Sequence, residues 1–203
     1  MSTANTLSAD DLGSTAQRER RKRILDATIG LASEGGFDAV QMRAVAEQAD
    51  VALGTLYRYF PSKIHLLVSA LGREFEKAEA GLRDKPVPGA TAAERVIGIL
   101  KLLSRGLQGD PHLTEALTRA FMFADSSAAA EIHRVGMSMT GMLSRAMHPD
   151  LEQIEELSDE DIAITKVIGD VWLSALVGWV TGRSSAADTA NQIEVAVRLL
   201  LRD

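Results

Sequence analysis

The chain has 203 residues, of which 46% are hydrophobic, 25% charged and only 4% aromatic. This length allows one medium domain or two small ones with ample apolar material for a core, and the composition favours helices over strands. The absence of cysteine excludes disulfides, thiolate nucleophiles and cysteine-ligated metals. A net charge of −6, taken alone, argues against a nucleic-acid partner.

The charge is distributed unevenly along the chain. Residues 1 to 65 hold eight basic and eight acidic side chains, so the whole deficit lies in the remaining 138 residues. A cluster of five basic residues with a single acidic neighbour comprises Arg18, Arg20, Arg21, Lys22 and Arg23. Such a cluster is often only a solvated helix start, but beside a DNA-binding motif it orients an acidic molecule towards a polyanion.

The first 16 residues are polar and predict a disordered arm. They lack the apolar run of a signal peptide, so we expect no export and a cytoplasmic location. A first helix begins near Gln17 and carries its apolar stripe from Ile24 to Ala32. Gly35-Gly36 ends this helix, because glycine accepts the left-handed conformation of a helix exit.

Residues 41 to 63 predict two short helices joined by a tight turn. Apolar residues recur at helical spacing over 42 to 49, the pattern breaks at Asp50, and it resumes over 53 to 60. The second helix is only about two turns long, because Pro61 forces it to stop. A short helix that packs on its partner and displays polar side chains outward suits a DNA major groove.

The run Gly54-Thr-Leu-Tyr-Arg-Tyr-Phe-Pro-Ser-Lys63, preceded by the arginine-rich helix and its glycine exit, resembles the DNA-binding domain of the TetR family of repressors. The resemblance covers about residues 20 to 67. More narrowly, Met1-Ser-Thr-Ala-Asn-Thr-Leu and Val68-Ser-Ala-Leu-Gly-Arg-Glu-Phe75 are similar to the actinobacterial members that repress steroid (cholesterol) catabolism.

The resemblance and the helical pattern together imply an all-α fold. An N-terminal three-helix helix-turn-helix DNA-binding domain at 17–63 is followed by a C-terminal helical ligand-binding and dimerisation domain at 64–203. Between them a long helix begins after Ser62 and runs to about Leu82. The clearest linker is 84–89, and further helices are expected from Ala92, Pro111 and residue 126 onward.

The last two helices, about 159–181 and 188–201, differ from the others. The most apolar window, 162–180, contains Lys166 and Asp170, so we interpret it as a buried helix and not a membrane span. The terminal helix is apolar nearly all round and needs cover on more than one side. We predict a four-helix homodimer interface, with Ser174, Gly178, Ile193, Val197, Leu200 and Leu201 as contact residues. The alternative is a monomer whose last helix lies in its own core.

The predicted DNA-contacting residues are Arg18, Arg20, Arg21, Arg43, Leu53, Gly54, Thr55, Tyr57, Arg58, Tyr59 and Lys63. The resemblance places Tyr57 and Lys63 at phosphate contacts and Thr55, Leu53 and Tyr59 on the groove-facing side. Either tyrosine has the alternative of packing on the three-helix core. Two-fold symmetry implies double-stranded DNA with a palindromic operator.

The C-terminal domain is expected to bind an apolar small molecule. The candidate wall residues are Leu102, Leu103, Leu107, Leu117, Phe121, Met122, Met139, Met142, Trp172, Leu176 and Trp179, and for each the alternative is an ordinary core position. The resemblance implies a sterol-derived inducer, plausibly a CoA thioester, with Arg105, Arg119 or Arg134 as candidates to bind its anionic part. No other cofactor and no metal are expected.

An enzymatic function is not expected. No HExxH, phosphate-binding glycine loop or Gly-x-Ser-x-Gly motif occurs, and the four histidines are scattered without ligand spacing. Two other readings remain open. One is a TetR-type regulator of fatty-acid metabolism or efflux with a different apolar inducer, and the other is a helical ligand-binding adaptor that does not bind DNA.

Overall fold

The structure, a computed structural model, describes residues 15–83, 85–149 and 157–202. The expected all-α fold is confirmed, and the described residues form helices without any strand. The helices are α1 Thr15–Ala39, α2 Met42–Gln48, α3 Leu53–Tyr59, α4 Lys63–Leu82, α5 Ala92–Gln108, α6 Pro111–Met122, α7 Ala129–Met147, α8 Asp159–Val180 and α9 Ala186–Leu200, with a short 3₁₀ turn at Ser126–Ala128. The predicted disordered arm lies outside the described residues, except for residues 15 and 16, which are helical.

Several helix boundaries and breaks fall at the residues that their sequence signals indicate. α1 loses helical geometry at Gly35 and Gly36, whose φ angles are −153° and 67°. Ser62 accepts a hydrogen bond from the His65 N–H at 3.1 Å, which caps α4. Asp110 caps α6 in the same way through the Leu113 N–H at 3.0 Å, with proline in the first turn.

The chain divides into two compact units. Unit 1 extends to Gly72 and also contains Asp110–Ile132, and its interior is built on Ile24, Leu25, Leu56, Phe60 and Leu67. Within unit 1, α1 packs mainly on α6. Compactness therefore groups α6 with the first three helices, whereas the motifs in the sequence place a domain boundary at 63/64. The two divisions differ because sequence motifs depend on neighbouring residues, whereas a compact unit also depends on contacts between residues far apart in the sequence.

Unit 2 comprises Arg73–Gly109 and His133–Asp203. Its core side chains include Leu100, Leu143 and Val197, all fully buried. A polar pair lies inside this core, where the Trp172 indole N–H donates to Ser104 Oγ at 2.9 Å. The Trp172 ring meets Phe75 of α4 edge to face, with centroids 6.0 Å apart. α4 and α7 each contribute residues to both units.

α8 combines an apolar composition with limited burial. By length and composition it could cross a membrane, and in the described part of the chain it alone passes that test. Only 28% of its apolar window is buried in the protomer. The expectation of a buried helix is therefore met on one face, which includes Ile168 and Trp172, whereas Ile162 and Val167 are exposed.

A single arginine fastens the end of α7 in unit 2. Arg95 donates through Nε to the Ala146 carbonyl at 2.7 Å and through one terminal nitrogen to the Met147 carbonyl at 3.1 Å. Its other terminal nitrogen donates to the Gly89 carbonyl at 3.2 Å. The last carbonyls of a helix have no intrahelical donor, so one planar guanidinium joins the last turn of α7 to the segment before α5.

Arg95→Gln is expected to lower the free energy of unfolding by about 1 to 2 kcal/mol, because glutamine cannot reach several carbonyls at once. Urea denaturation followed by circular dichroism measures this change. Arg83→Gln is the matched control, since Arg83 is exposed, and it should change stability by less than about 0.5 kcal/mol. Equal values for the two variants would contradict the proposed fastening.

Candidate nucleic-acid interface

The segment from α2 to α3 folds as a helix-turn-helix. The turn passes through Asp50, which adopts a left-handed φ of 52°. The Val51 N–H donates to the Ala46 carbonyl at 3.0 Å and closes the turn. Asparagine and aspartate tolerate this conformation better than other residues with a side chain, so the residue at the turn suits its backbone.

Burial of one side of α3 decides which side faces outward. Leu56 and Phe60 are almost fully buried, and Gly54, Tyr57 and Arg58 are exposed. Leu53 and Thr55 are half-buried, at the edge of the exposed face. The helix is two turns long and ends before Pro61, as the sequence predicts. Its outer face therefore offers a phenol, a guanidinium and an open backbone.

Tyr59 does not belong to this outer face, and its predicted groove contact is wrong. Its side chain is 2% exposed, and its hydroxyl has no hydrogen-bond partner among the described residues. Tyr59 follows Leu56 by three positions, which places both on the same side of a helix. The alternative reading, an aromatic packed on the three-helix core, applies to Tyr59, whereas Tyr57 remains 45% exposed.

Gly54 leaves a gap in the outer face of α3. A Cβ atom built on Gly54 would meet no atom within 4 Å. Glycine costs roughly 1 kcal/mol relative to alanine in a helix interior, so its presence here does not serve the stability of the protomer. A bare position on an exposed helix face leaves room for close approach of another backbone, such as that of DNA, and the contact of Gly54 with DNA stays a prediction.

The basic residues of α1 fall into two groups. Arg18 is exposed, and its guanidinium donates to Thr15 Oγ1 at 3.4 Å. The Arg21 guanidinium instead lies 5.6 Å from the centre of the Phe60 ring, and Arg20 is half-buried. Arg43 on α2 is exposed. Arg18 and Arg43 thus have the freedom that a DNA contact needs, whereas Arg21 also packs on the core.

Lys63 takes part in an arrangement that the sequence analysis missed. Its Nζ lies 3.9 Å from the centre of the Phe37 ring, and the Arg119 guanidinium lies 4.3 Å from the same centre. Cations attract the face of an aromatic ring. Partial burial lowers the pKa of the Lys63 ammonium, Asp38 opposes this shift and Arg119 adds to it. Lys63 therefore has a packing role, and its phosphate contact stays a prediction.

Glu115 of α6 closes the same arrangement. Its carboxylate accepts a hydrogen bond from the Phe37 N–H at 2.8 Å, and Arg119 lies 3.6 Å from both Glu115 and Asp38. Gly36 makes room for this carboxylate, because a Cβ atom there would lie 2.8 Å from Glu115 Oε2. Phe37 and Glu115 are 78 positions apart in the sequence, so no local sequence pattern predicts their contact.

The predicted ligand-binding residues do not all lie inside the protein. Leu117, Met139, Met142, Trp172 and Leu176 are buried. Half-buried positions are Leu103, Leu107, Phe121 and Trp179. Leu102 and Met122 are 52% and 51% exposed, so their assignment to a pocket wall is wrong for the protomer.

Two of the predicted dimer residues are corrected by the structure. Ile193 and Val197 are 4% and 0% exposed in the protomer, so their side chains pack on its own core. Gly178 makes room within its own chain, since a Cβ atom there would lie 2.9 Å from Ser184 Oγ. Leu200 and Ser174 are exposed, and Leu201 is half-buried. The exposed apolar residues of α9 also include Val195 and Leu199, which the sequence analysis did not select.

Two family models match the chain. The model described as bacterial regulatory proteins, tetR family, matches residues 24–70, and the model described as tetracyclin repressor-like, C-terminal domain, matches residues 89–200. The chain belongs to the TetR family. It is a DNA-binding transcriptional repressor of this type and not an enzyme.

Named relatives agree with this assignment. The chain is 60% identical to the HTH-type transcriptional repressor KstR of Rhodococcus jostii over 200 residues, which cover 98% of this chain and 91% of that protein. It is 53% identical to KstR of Mycobacterium tuberculosis over 197 residues, covering 97% and 87% respectively. The resemblance to this group of repressors is thereby confirmed.

Solved structures share the fold. A TetR transcriptional regulator from Rhodococcus sp. RHA1 superposes with a TM-score of 0.83 at 30% identity, covering 93% of this chain and 98% of that one. Thermus thermophilus FadR, in complex with lauroyl-CoA, superposes with a TM-score of 0.70 at 21% identity, covering 89% and 93%.

Gly54→Ala separates DNA binding from stability. We expect it to weaken operator binding at least tenfold, because a methyl group fills the gap on the outer face of α3, while the free energy of unfolding rises by up to about 1 kcal/mol. Fluorescence anisotropy with labelled operator measures the first quantity, and urea denaturation measures the second.

Gly81→Ala is the matched control, because Gly81 is also helical and its Cβ atom would also meet nothing within 4 Å. It should stabilise the protein similarly without changing DNA affinity. If Gly54→Ala bound operator as tightly as Gly81→Ala, the outer face of α3 would not be the close-contact surface.

Proposed function

We propose that this repressor binds a palindromic operator as a homodimer and is released by a hydrophobic, sterol-derived metabolite, so that it controls steroid (cholesterol) catabolism genes in the cytoplasm. The observation that carries the proposal is the 53 to 60% identity to KstR repressors along nearly the whole chain. A fatty-acid regulator is the second candidate. The fatty acid metabolism regulator protein of Bacillus subtilis is 32% identical, but over only 48% of this chain.

The exposed apolar surface of the last two helices supports the homodimer. On α9, Val195 and Leu199 are 50% and 56% exposed, and on α8 Ile162 and Val167 are exposed as well. Leu200, the last residue of α9, is also exposed. Monomeric proteins rarely leave large contiguous apolar patches in water. A second copy that offers the same helices covers both surfaces in one symmetric four-helix contact.

Buried aromatic and sulfur-containing residues of unit 2 support an apolar ligand. Met139, Met142, Trp172 and Leu176 form adaptable, nonpolar surroundings. The inducer is proposed to be a CoA thioester. Two FadR proteins with this fold are complexes with lauroyl-CoA and stearoyl-CoA, at TM-scores of 0.70 and 0.58. These relatives make a thioester a reasonable first compound to test.

The proposed mechanism uses α4, which begins beside the helix-turn-helix and continues into unit 2. A ligand that favours one position of α4 changes the distance between the two helix-turn-helix units of the dimer. These units then no longer match the spacing of successive major grooves. A hundredfold loss of operator affinity requires only about 3 kcal/mol of coupling free energy. The Phe75 contact with Trp172 is one place where α4 meets the core of unit 2.

The function is tested by selecting genomic DNA fragments on the immobilised protein, with and without a sterol CoA thioester and, in parallel, a long-chain acyl-CoA. We expect enrichment of one palindrome, affinity that falls steeply with salt, and elution by the sterol compound. Elution by the acyl-CoA alone would favour the fatty-acid alternative. Equal retention with and without either ligand would contradict the proposed release.

The dimer is tested by Leu199→Glu, which places a charge on the exposed apolar surface of α9. We expect a monomer in sedimentation velocity at micromolar concentration and loss of operator binding, because an unpaired charge is costly to bury. Met137→Glu is the control, since Met137 is 44% exposed on α7, and it should remain dimeric. A Leu199→Glu protein that still sediments as a dimer would place the interface elsewhere.

A further inference from the structure

A cavity of about 200 Å³ lies between α5 and α9 in unit 2. Its apolar side is formed by Ile97, Ile193 and two small residues of α9, Ala186 and Ala190. Its polar side comes from α5 alone and consists of Lys101, Ser104, Arg105 and Gln108. None of these residues was predicted as a pocket wall, although Arg105 was a candidate to bind the anionic part of an inducer. The cavity is smaller than the 300 to 1,000 Å³ typical of whole-ligand pockets.

The polar side of the cavity carries positive charge. Lys101 donates to Glu194 Oε2 at 2.9 Å, and Glu194 also accepts from Arg198 at 3.0 Å, so one carboxylate is shared by two cations. Lys101 and then Arg198 lower the pKa of the Glu194 carboxyl. Arg105 is exposed and has no ion-pair partner among the described residues. The side chains beside the cavity therefore carry more positive than negative charge, which favours binding of an anion.

Ser104 adds a buried donor to the cavity. Ser104 is only 7% exposed, and its hydroxyl oxygen accepts a hydrogen bond from the Trp172 indole N–H. A serine hydroxyl that accepts one hydrogen bond still has its own proton to donate. No acceptor for that proton is found in the described residues. A bound oxygen atom in the cavity would satisfy it.

We propose that this cavity binds a phosphate group, with Arg105 and Lys101 as its charge partners and Ser104 and Gln108 as hydrogen-bond donors. Guanidinium and phosphate match in geometry and form strong paired hydrogen bonds. The volume suits a phosphate or pyrophosphate and excludes a steroid nucleus. The phosphate belongs either to the nucleotide arm of a thioester or to a free phosphorylated metabolite.

The inference rests on the proposed function only in assigning effector binding to unit 2. It adds a direct physical link from this cavity to α4. A ligand oxygen that engages the Ser104 hydroxyl acts on the group that holds the Trp172 indole, and Trp172 packs against Phe75 of α4. An anion bound between α5 and α9 thus changes the surroundings of α4 without entering the apolar core.

The test is isothermal titration calorimetry of the full-length protein with sodium pyrophosphate, coenzyme A and sodium sulfate at fixed ionic strength. We expect pyrophosphate or coenzyme A to bind, and Arg105→Gln to weaken that binding at least tenfold. Ser104→Ala should weaken it less. Arg83→Gln is the matched control, because it removes an exposed arginine of the same unit that does not line the cavity.

The inference would be overturned by absence of binding of both phosphate compounds at millimolar concentration, or by equal affinity of wild type and Arg105→Gln. Sulfate that bound as tightly as pyrophosphate would also overturn it, by showing unselective anion attraction. Stronger binding of coenzyme A identifies the thioester arm, and equal binding identifies a free phosphate. Operator release by the sterol thioester, measured on the same variants, is a separate readout, so the proposed function is judged independently.

Discussion

Phe37 is the residue at which α1, α4 and α6 meet in unit 1. It follows the glycine break in α1, its ring is covered by the Lys63 ammonium and the Arg119 guanidinium, and its N–H is bound by Glu115. Three helices therefore meet at one side chain: α1 before it, α4 through Lys63, and α6 through Glu115 and Arg119. Removing the Glu115 carboxylate leaves the part-buried Phe37 N–H without its acceptor, which costs more than the hydrogen bond itself contributes.

Gly36 is the condition for this meeting point. Its φ of 67° lies in the left-handed region, and the space of its missing side chain is occupied by the Glu115 carboxylate. An alanine there would be strained in its backbone and would also displace the acceptor of the Phe37 N–H. One small residue thus serves two needs, the exit of α1 and the close approach of α6.

Much of the fold follows from local signals in the sequence. Gly35 interrupts α1, Pro61 follows the end of α3 and Ser62 caps the start of α4, as the sequence predicts. Each of these residues acts through its own backbone or its nearest neighbours. Contacts between residues far apart in the chain could not be predicted from these local signals. The Phe37 to Glu115 hydrogen bond joins residues 78 positions apart, and no periodicity encodes it. The same applies to the cavity between α5 and α9.

Side-chain direction was predicted well where one side of a helix is clearly apolar and poorly where both sides are. On α3 the buried pair Leu56 and Phe60 left Tyr57 and Arg58 outward, but Tyr59 shares the buried side. In the second half of α9 most positions are apolar, so the sequence alone could not separate Ile193 and Val197, which lie in the protomer core, from exposed Leu199. A side chain buried in the core of the protomer and a side chain buried against a partner subunit are both apolar, so residue type does not distinguish them.

The net charge of −6 and a DNA-binding function are compatible because electrostatic attraction is local. At physiological ionic strength the Debye length is about 8 Å, so exposed charges farther away than that contribute little to the potential at the outer face of α3. Near that face stand Arg58 of α3 and Arg43 of α2, both exposed. The surplus acidic residues all lie beyond residue 65. Net charge bears on solubility and self-repulsion, whereas contact with phosphate depends on the cations that lie close to the duplex.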